Sequence, residues 1–301
     1  MATALEAAPP ALAGARRLYL KREDTHELGA FKWRGALPVL REYKAGGATE
    51  VVTASTGNHG AATAWAAEQL GLTAIVFVPV QASATKLARV EALGAELRRE
   101  GADMDEAKEL ARAEAARRSV PFFEDGAEPA QYDGYAAIGD ELLDQLAEAP
   151  AAVLVPTGNG ALLGGIGRAV LARSPETLRV GVVAAEAPVM ADSFEAGRVV
   201  TSDRSGTFAD GLAVRVAIPY AVEALDLVAT HMLRVSEREI ARGVAAFAEA
   251  GIRAEGAAGA GLAALPQLPE LDGAIVAIVT GRNIDDDLLD RARNHPEAFS
   301  N

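Results

Sequence analysis

An amine is a nucleophile only when it is uncharged. The segment LYLKREDTHELGAFKWRG, Leu18 to Gly35, sets a lysine, Lys32, between Phe31 and Trp33 with Arg34 beside it. Apolar cover and a neighbouring cation both disfavour an ammonium, so a lysine in this setting suits Schiff-base chemistry with a carbonyl compound. The same letters also fit a solvated lysine on a helix. The rest of the chain decides between the two.

Two further segments have residue types suited to holding anions. The loop Ser55-Thr56-Gly57-Asn58-His59-Gly60 runs from an apolar stretch into a helical one, which places the polar groups of Thr56 and Asn58 next to helix N-terminal amides. That is a receptor for a carboxylate or a ring hydroxyl, and equally a helix cap built on Ser55, Thr56 or Asn58. The loop VPTGNGALLGGIG, Val155 to Gly167, offers small residues at Gly158, Gly160 and Ala161 ahead of a helix, an arrangement that suits a phosphate. It lacks the lysine and hydroxyl residue of a Walker A loop and is not a dinucleotide fingerprint. A tight strand-to-helix turn packed through Gly164, Gly165 and Gly167 is the other reading.

The composition narrows what these loops serve. The chain has 301 residues, 50% hydrophobic and 24% charged, enough apolar material for one large or two medium domains. No cysteine is present, so thiolate chemistry and disulfides are excluded, and the four histidines, His26, His59, His231 and His295, are too scattered to suggest a metal cluster. A net charge of −13 disfavours nucleic acid and anionic membranes as partners, so anionic ligands must be held by local backbone devices. No apolar run approaches the roughly 20 residues of a membrane span, and the N-terminus lacks a basic export signal. A cytoplasmic setting is expected.

Short apolar runs alternate with alanine-rich stretches at helical spacing, the pattern of parallel sheets covered by helices, an α/β fold. The runs predict strands at Arg17–Lys21, Glu50–Ala54, Ala74–Pro79, Ala152–Pro156, Arg179–Ala185 and Ala274–Thr280. Helical patterns fall at 31–45, 58–71, 84–94, 103–118, 132–147, 160–173, 236–250 and 257–267. Right-handed crossovers bring strand C-termini to a common edge, where the glycine-containing loops after Ala54, Pro156 and Val279 would lie. A break at Phe123-Glu124-Asp125-Gly126 marks a return of the chain between domains.

KRED with GAFKWRG, then STGNHG, then a glycine-rich loop about a hundred residues later, in that order, resemble the pyridoxal-phosphate enzymes of the tryptophan synthase β fold (fold type II). Within that family they resemble specifically the threonine and serine dehydratase and serine racemase branch. FADGLAVR at Phe208 to Arg215, AEGAAGAGLAAL at Ala254 to Leu265 and VTGRNID at Val279 to Asp285 are similar to later family segments. The resemblance implies two domains, a large cofactor domain of residues 1–36 and 131–301 and a small inserted domain of residues 37–130.

It also implies roles. Lys32 would carry pyridoxal 5'-phosphate as a Schiff base and, once freed, act as the catalytic base. Phe31 and Asn58 would flank the cofactor ring and its hydroxyl. Gly158, Asn159, Gly160 and Ala161 would cradle the phosphate, Thr280 would meet the pyridine nitrogen, and Glu255 would lie near the cofactor face. Ser55, Thr56, Asn58 and His59 would hold the substrate carboxylate, with Thr56 also a catalytic candidate. Tyr132, Tyr135 and the stretch around Ala187 to Phe208 would shape the substrate pocket. The reaction implied is α,β-elimination of a β-hydroxy amino acid such as threonine or serine to a 2-oxo acid and ammonia, by a homodimer. A divalent cation near Asp210 and Glu186 is left open.

This chain departs from the family pattern in four places. Asn159 and Ala161 interrupt the usual run of glycines, as in threonine synthase-like members. Thr56 stands where racemases carry serine and dehydratases often alanine. Arg282 replaces a glycine, adding a cation that would meet either an acidic substrate side chain or solvent. KRED begins at Lys21, with only AAPPAL as a remnant of the family's N-terminal helix and turn. No regulatory domain is expected after Asn283, nor feedback control by isoleucine. The alternatives are β-replacement or threonine synthase-like chemistry, racemisation, and an amino-acid-sensing paralogue without turnover.

Overall fold

The chain is described from a computed structural model that covers residues 2–202 and 205–301. It divides into two compact units, one of Met1–Phe31 with Tyr135–Asn301 and one of Lys32–Gly134.

Nine strands are present among the described residues: β1 (Leu5–Ala7), β2 (Arg17–Arg22), β3 (Glu50–Ala54), β4 (Thr73–Val78), β5 (Glu96–Arg99), β6 (Ala152–Pro156), β7 (Leu178–Ala184), β8 (His231–Val235) and β9 (Ala274–Val279). The helices are α1 (Pro10–Ala13), α2 (Trp33–Ala45), α3 (Asn58–Leu70), α4 (Ala84–Ala92), α5 (Met104–Arg118), α6 (Pro129–Gln145), α7 (Ala161–Arg173), α8 (Val189–Ala196), α9 (Pro219–Val228), α10 (Glu237–Glu249), α11 (Gly256–Ala263) and α12 (Asp286–Asn294).

The first unit is built on a six-stranded sheet in the order β1-β2-β9-β6-β7-β8. All its pairings are parallel except β1 with β2. Strands at the middle of a covered parallel sheet are apolar on both faces. β9 (AIVAIV) and β6 (AVLVP) are buried at every position, and they lie side by side. α10 begins at a capping box, in which Ser236 and Glu239 satisfy each other's backbone amides. It packs on α11 so closely that a Cβ on Gly243 would come within 2.2 Å of the Gly259 carbonyl oxygen. The run of small residues in AEGAAGAGLAAL therefore serves close helix packing.

The second unit is a three-stranded parallel sheet, β3-β4-β5, with Phe122 bridging to Val52 beyond β3. α5 is capped by Asp103, whose carboxylate accepts from the amides of Asp105 and Glu106, and its buried stripe is Ala107, Ala111 and Ala115. This stripe covers Val52, Ile75 and Phe77 of the sheet.

Several elements have no counterpart in the apolar pattern. β5 reads ELRR and carries no alternating apolar set, β1 is three residues long, and β8 begins with an exposed histidine. α8, α9 and α12 fall in stretches where the sequence predicts no element. β1 also corrects the expectation of wholly parallel sheets, since it returns antiparallel at the edge. No helix is long and apolar enough to cross a membrane among the described residues.

Candidate active site

In the second unit, Lys32 caps α2 with helical backbone angles, and its carbonyl accepts the amides of Gly35 and Ala36. Its ammonium lies 2.6 Å from Asp125 Oδ2, with 16% of the lysine side chain exposed. The charged group beside Lys32 is therefore a carboxylate. Arg34, the cation expected there, is buried with its guanidinium 4.9 Å above the Trp33 ring. Trp33 in turn meets Trp65 edge-on, with ring centroids 6.1 Å apart.

Asp125 is held from its other side by Gln131, whose Nε2 donates to Oδ1 at 2.6 Å. Gln131 Oε1 accepts the Gly126 amide, and Tyr132 donates its hydroxyl to the Gly126 carbonyl, so the turn after Asp125 is fixed by two side chains from α6. Burial alone would raise the Asp125 carboxyl. The charge of Lys32, the field of His59 and the hydrogen bonds from Lys32 and Gln131 together outweigh it and hold the carboxyl well below the usual carboxylate range.

His59 is 7% exposed, and its Nε2 stands 3.0 Å from Thr53 Oγ1. Thr53 spends its proton on the Phe123 carbonyl at 2.8 Å, so Nε2 carries the hydrogen and donates to Thr53. Burial pushes the imidazole pKa down, against the pull of Asp125. Its Nδ1 lies 3.7 Å from Asp125 Oδ1, too far for a hydrogen bond. What His59 can offer a substrate is its amide in the first turn of α3. Ser55 accepts the Gly57 amide with its hydroxyl, Thr56 is half-buried, and Asn58 Oδ1 lies 3.5 Å from an Arg89 nitrogen. None of these side chains caps α3, whose cap residue is Gly57. The four residues expected to hold a carboxylate thus share one strand-to-helix turn with the first amides of α3.

In the first unit, β6 leads through Thr157 into the turn Gly158-Asn159-Gly160 and on to α7. Gly160 is left-handed, φ +91°, and a Cβ on Gly158 would come within 2.1 Å of the Gly211 carbonyl oxygen, so neither position tolerates a side chain. Asn159 Oδ1 accepts the Ala161 amide at 3.1 Å, which engages one of the amides expected to cradle a phosphate. The remaining first-turn amides of α7 have no acceptor within the helix and carry its positive dipole end.

Thr280 follows β9, is 1% exposed, and donates its hydroxyl to Glu255 Oε1 at 2.8 Å. Glu255 is buried, its amide donates to the Gly281 carbonyl, and its Oε2 occupies the space a Cβ on Gly281 would need. The Phe31 amide donates to the Thr280 carbonyl at 3.0 Å, which fastens the residue before Lys32 to the end of β9. The Phe31 ring packs 5.2 Å from that of Tyr135. Arg282, expected at a substrate or in solvent, instead folds back along Gly29 with a nitrogen 3.5 Å from the His26 carbonyl.

Asp125 and Gln131 are the functional candidates that sequence reasoning missed. Their segment offered only a domain-break signal, and the carboxylate becomes meaningful once α6 turns Gln131 onto it. Among the described residues, no group of three or more His, Asp or Glu side chains could hold a metal ion, including at Asp210 and Glu186. Of the stretch from Ala187 to Phe208, residues 203 and 204 lie outside the described residues.

The family described as pyridoxal-phosphate dependent enzyme matches residues 2–281. An L-threonine ammonia-lyase from Thermotoga maritima is 34% identical over 284 residues, covering 92% of this chain and 70% of that protein. Among solved structures, the processed form of threonine deaminase isoform 2 from Solanum lycopersicum superposes with a TM-score of 0.89 at 26% identity, over 96% of this chain and 86% of that one. A fungal L-serine ammonia-lyase from Rhizomucor miehei gives a TM-score of 0.86 at 25% identity, over 98% of each chain.

Proposed function

Because the chain belongs to the family of pyridoxal-phosphate dependent enzymes, we propose that it is an ammonia-lyase. It removes the β-hydroxyl and the α-amino group of an amino acid such as threonine or serine, leaving a 2-oxo acid and ammonia. The observation that carries this reading is Lys32, a partly exposed amine at the head of α2, directly after a residue tied by its backbone to Thr280.

The residues present fit the cofactor. Phosphate is a dianion in a chain of net charge −13, and the turn Gly158-Asn159-Gly160 with the first turn of α7 supplies amides and a helix dipole instead of side-chain cations. Thr280 supplies a neutral hydroxyl for the pyridine nitrogen, and Phe31 an apolar face. When bound, the cofactor supplies an electron sink conjugated to the substrate Cα.

The chain's own groups do the rest. Lys32 would hold the cofactor covalently and, as a free amine, would take the α-proton onto Nζ. Asp125 fixes where that amine rests and stabilises it once it is protonated. Amides in the turn Ser55 to His59 bind and orient the substrate carboxylate, with Thr56 and Asn58 at its edges. The Thr280–Glu255 hydrogen bond sets which partner of Thr280 receives its only proton.

A homodimer in the cytoplasm accompanies this reading. Val216, Tyr220 and Leu227 are large hydrophobic residues exposed on and just before α9, a surface suited to a second copy of the chain. Light scattering of the purified protein reads the mass directly.

The functional test is a titration of the purified holoenzyme with L- and D-amino acids, with 2-oxo acid and ammonia assayed together. Equal yields of oxo acid and ammonia from serine, threonine or a larger β-hydroxy amino acid support the lyase. A D-amino acid or an adduct with little ammonia would replace it with racemisation or β-replacement.

A further inference from the structure

The hydroxyl of Thr280, just beyond β9, has one proton to give and two lone pairs with which to accept. It gives that proton to Glu255 Oε1 at 2.8 Å. Both residues are buried, so bulk solvent does not compete for it. A hydroxyl that has already donated can only accept from the next group that meets it.

The backbone holds this arrangement from both sides. Glu255 is the N-cap residue of α11, where the helix dipole favours a negative group, and its carbonyl accepts the Gly259 amide. Its own amide donates to the Gly281 carbonyl, which ties the cap to the residue after Thr280. A Cβ on Gly281 would stand 2.7 Å from Glu255 Oε2, so the carboxylate lies where it does because that residue is glycine. Thr280 is pinned through its carbonyl, which accepts the Phe31 amide at 3.0 Å. A β-branched side chain has few rotamers, so a hydroxyl on a pinned backbone keeps its direction.

We propose that Glu255 is a positioning residue that makes Thr280 a hydrogen-bond acceptor, so that the site holds pyridoxal phosphate with a proton on its pyridine nitrogen. The inference rests on the reading of Thr280 as the partner of that nitrogen, and not on the elimination itself. A neutral pyridine nitrogen is an acceptor, and two acceptors facing each other repel. Thr280 could serve a neutral nitrogen only by withdrawing its proton from Glu255. A hydrogen bond to a charged acceptor is roughly twice as strong as a neutral one, and the buried carboxylate would lose a donor. The lower-energy arrangement takes one proton from water onto the nitrogen and leaves the carboxylate one hydroxyl away from the positive ring. A protonated ring draws electrons from the substrate Cα more strongly than a neutral one, so the Thr280–Glu255 pair acts toward the ring as a carboxylate partner would.

The test reads the nitrogen directly. Apoprotein is reconstituted with pyridoxal phosphate carrying nitrogen-15 in its ring, and the resonance of the bound cofactor is compared with those of free cofactor in acid and in base. The parent and Thr280→Ser are expected at the protonated position at neutral pH. Glu255→Leu removes the acceptor, frees the Thr280 proton and moves the resonance to the unprotonated position, and Thr280→Val moves it likewise. Circular dichroism matching the parent shows that each variant is folded. An unprotonated resonance in the parent overturns the inference without any variant. A protonated resonance that both Glu255→Leu and Thr280→Val leave in place overturns it too. A parent with the protonated resonance but no ammonia release keeps the inference and removes the lyase reading, whereas labelled cofactor that stays free in solution removes both.

Discussion

Lys32 Nζ and Asp125 Oδ2 stand 2.6 Å apart although ninety-three positions separate them in the chain. Gln131 donates to the other oxygen of Asp125, Oδ1, at 2.6 Å. Asp125 is a built receptor for the amine and positions a proton-transfer group independently of any ligand.

Asp125→Asn keeps the shape and removes the charge. It is expected to lower kcat by about 10²–10⁴-fold, the usual contribution of a placed proton-transfer group, while the covalent cofactor link survives. Steady-state kinetics and the visible spectrum of the variant separate the two effects. An unchanged kcat would make Asp125 a purely structural anchor.

Acid should loosen the second unit in two steps. His59 has a depressed pKa in the folded protein, so the unfolded chain takes up its proton first, and stability falls as pH drops below about 6.5, the unperturbed value. Asp125 is also depressed, so its contribution is complete above about 3.9 and is lost only as pH falls further. Denaturant melts between pH 8 and pH 3 read both windows. His59→Gln should flatten the upper window and leave the lower.

Thr280→Val removes the hydroxyl that Glu255 accepts from and leaves a buried carboxylate oxygen short of its donor. The cost is about 1–3 kcal/mol, measured by chemical denaturation, together with a shift in the visible band of bound cofactor. Thr280→Ser restores both. Loss of stability with an unshifted band would remove Thr280 from the cofactor's surroundings.

Two glycines of the anion-binding loops should answer oppositely to alanine. At Gly158 the new methyl would lie 2.1 Å from the Gly211 carbonyl oxygen, so the turn must move, and cofactor affinity should fall at least about tenfold, a cost of ~1.4 kcal/mol. At Gly57 nothing lies within 4 Å and φ is −121°, so only glycine's advantage over alanine as the cap of α3 is lost, about 1 kcal/mol of stability, while cofactor affinity holds. Fluorescence titration of the apoprotein with pyridoxal phosphate, beside melts of both variants, checks the pair.

Strands β3, β6 and β9 were legible because burial writes itself as continuous apolar runs. β3 and β6 match their predicted limits, and β9 differs by one residue at its end. The glycine turn ahead of α7 was legible for a related reason, since a left-handed Gly160 and a pressed Gly158 leave little choice of residue. β5 was not legible: its ELRR packs its middle residues only partly and takes its strand geometry from β4. At the site, Lys32 announced itself, but its neighbour did not. Sequence adjacency pointed to Arg34, whereas the three-dimensional neighbour is Asp125, delivered by the chain after β5 and α5 have been crossed. His59 likewise looked polar and available in STGNHG, and the fold turns its ring inward onto Thr53.

Reducing the holoenzyme with borohydride and mapping its peptides by mass spectrometry identifies the residue that carries the cofactor. A phosphopyridoxyl adduct is expected on Lys32, absent in Lys32→Ala together with ammonia release from threonine and serine. An adduct on another lysine, or full turnover by Lys32→Ala, would contradict that assignment.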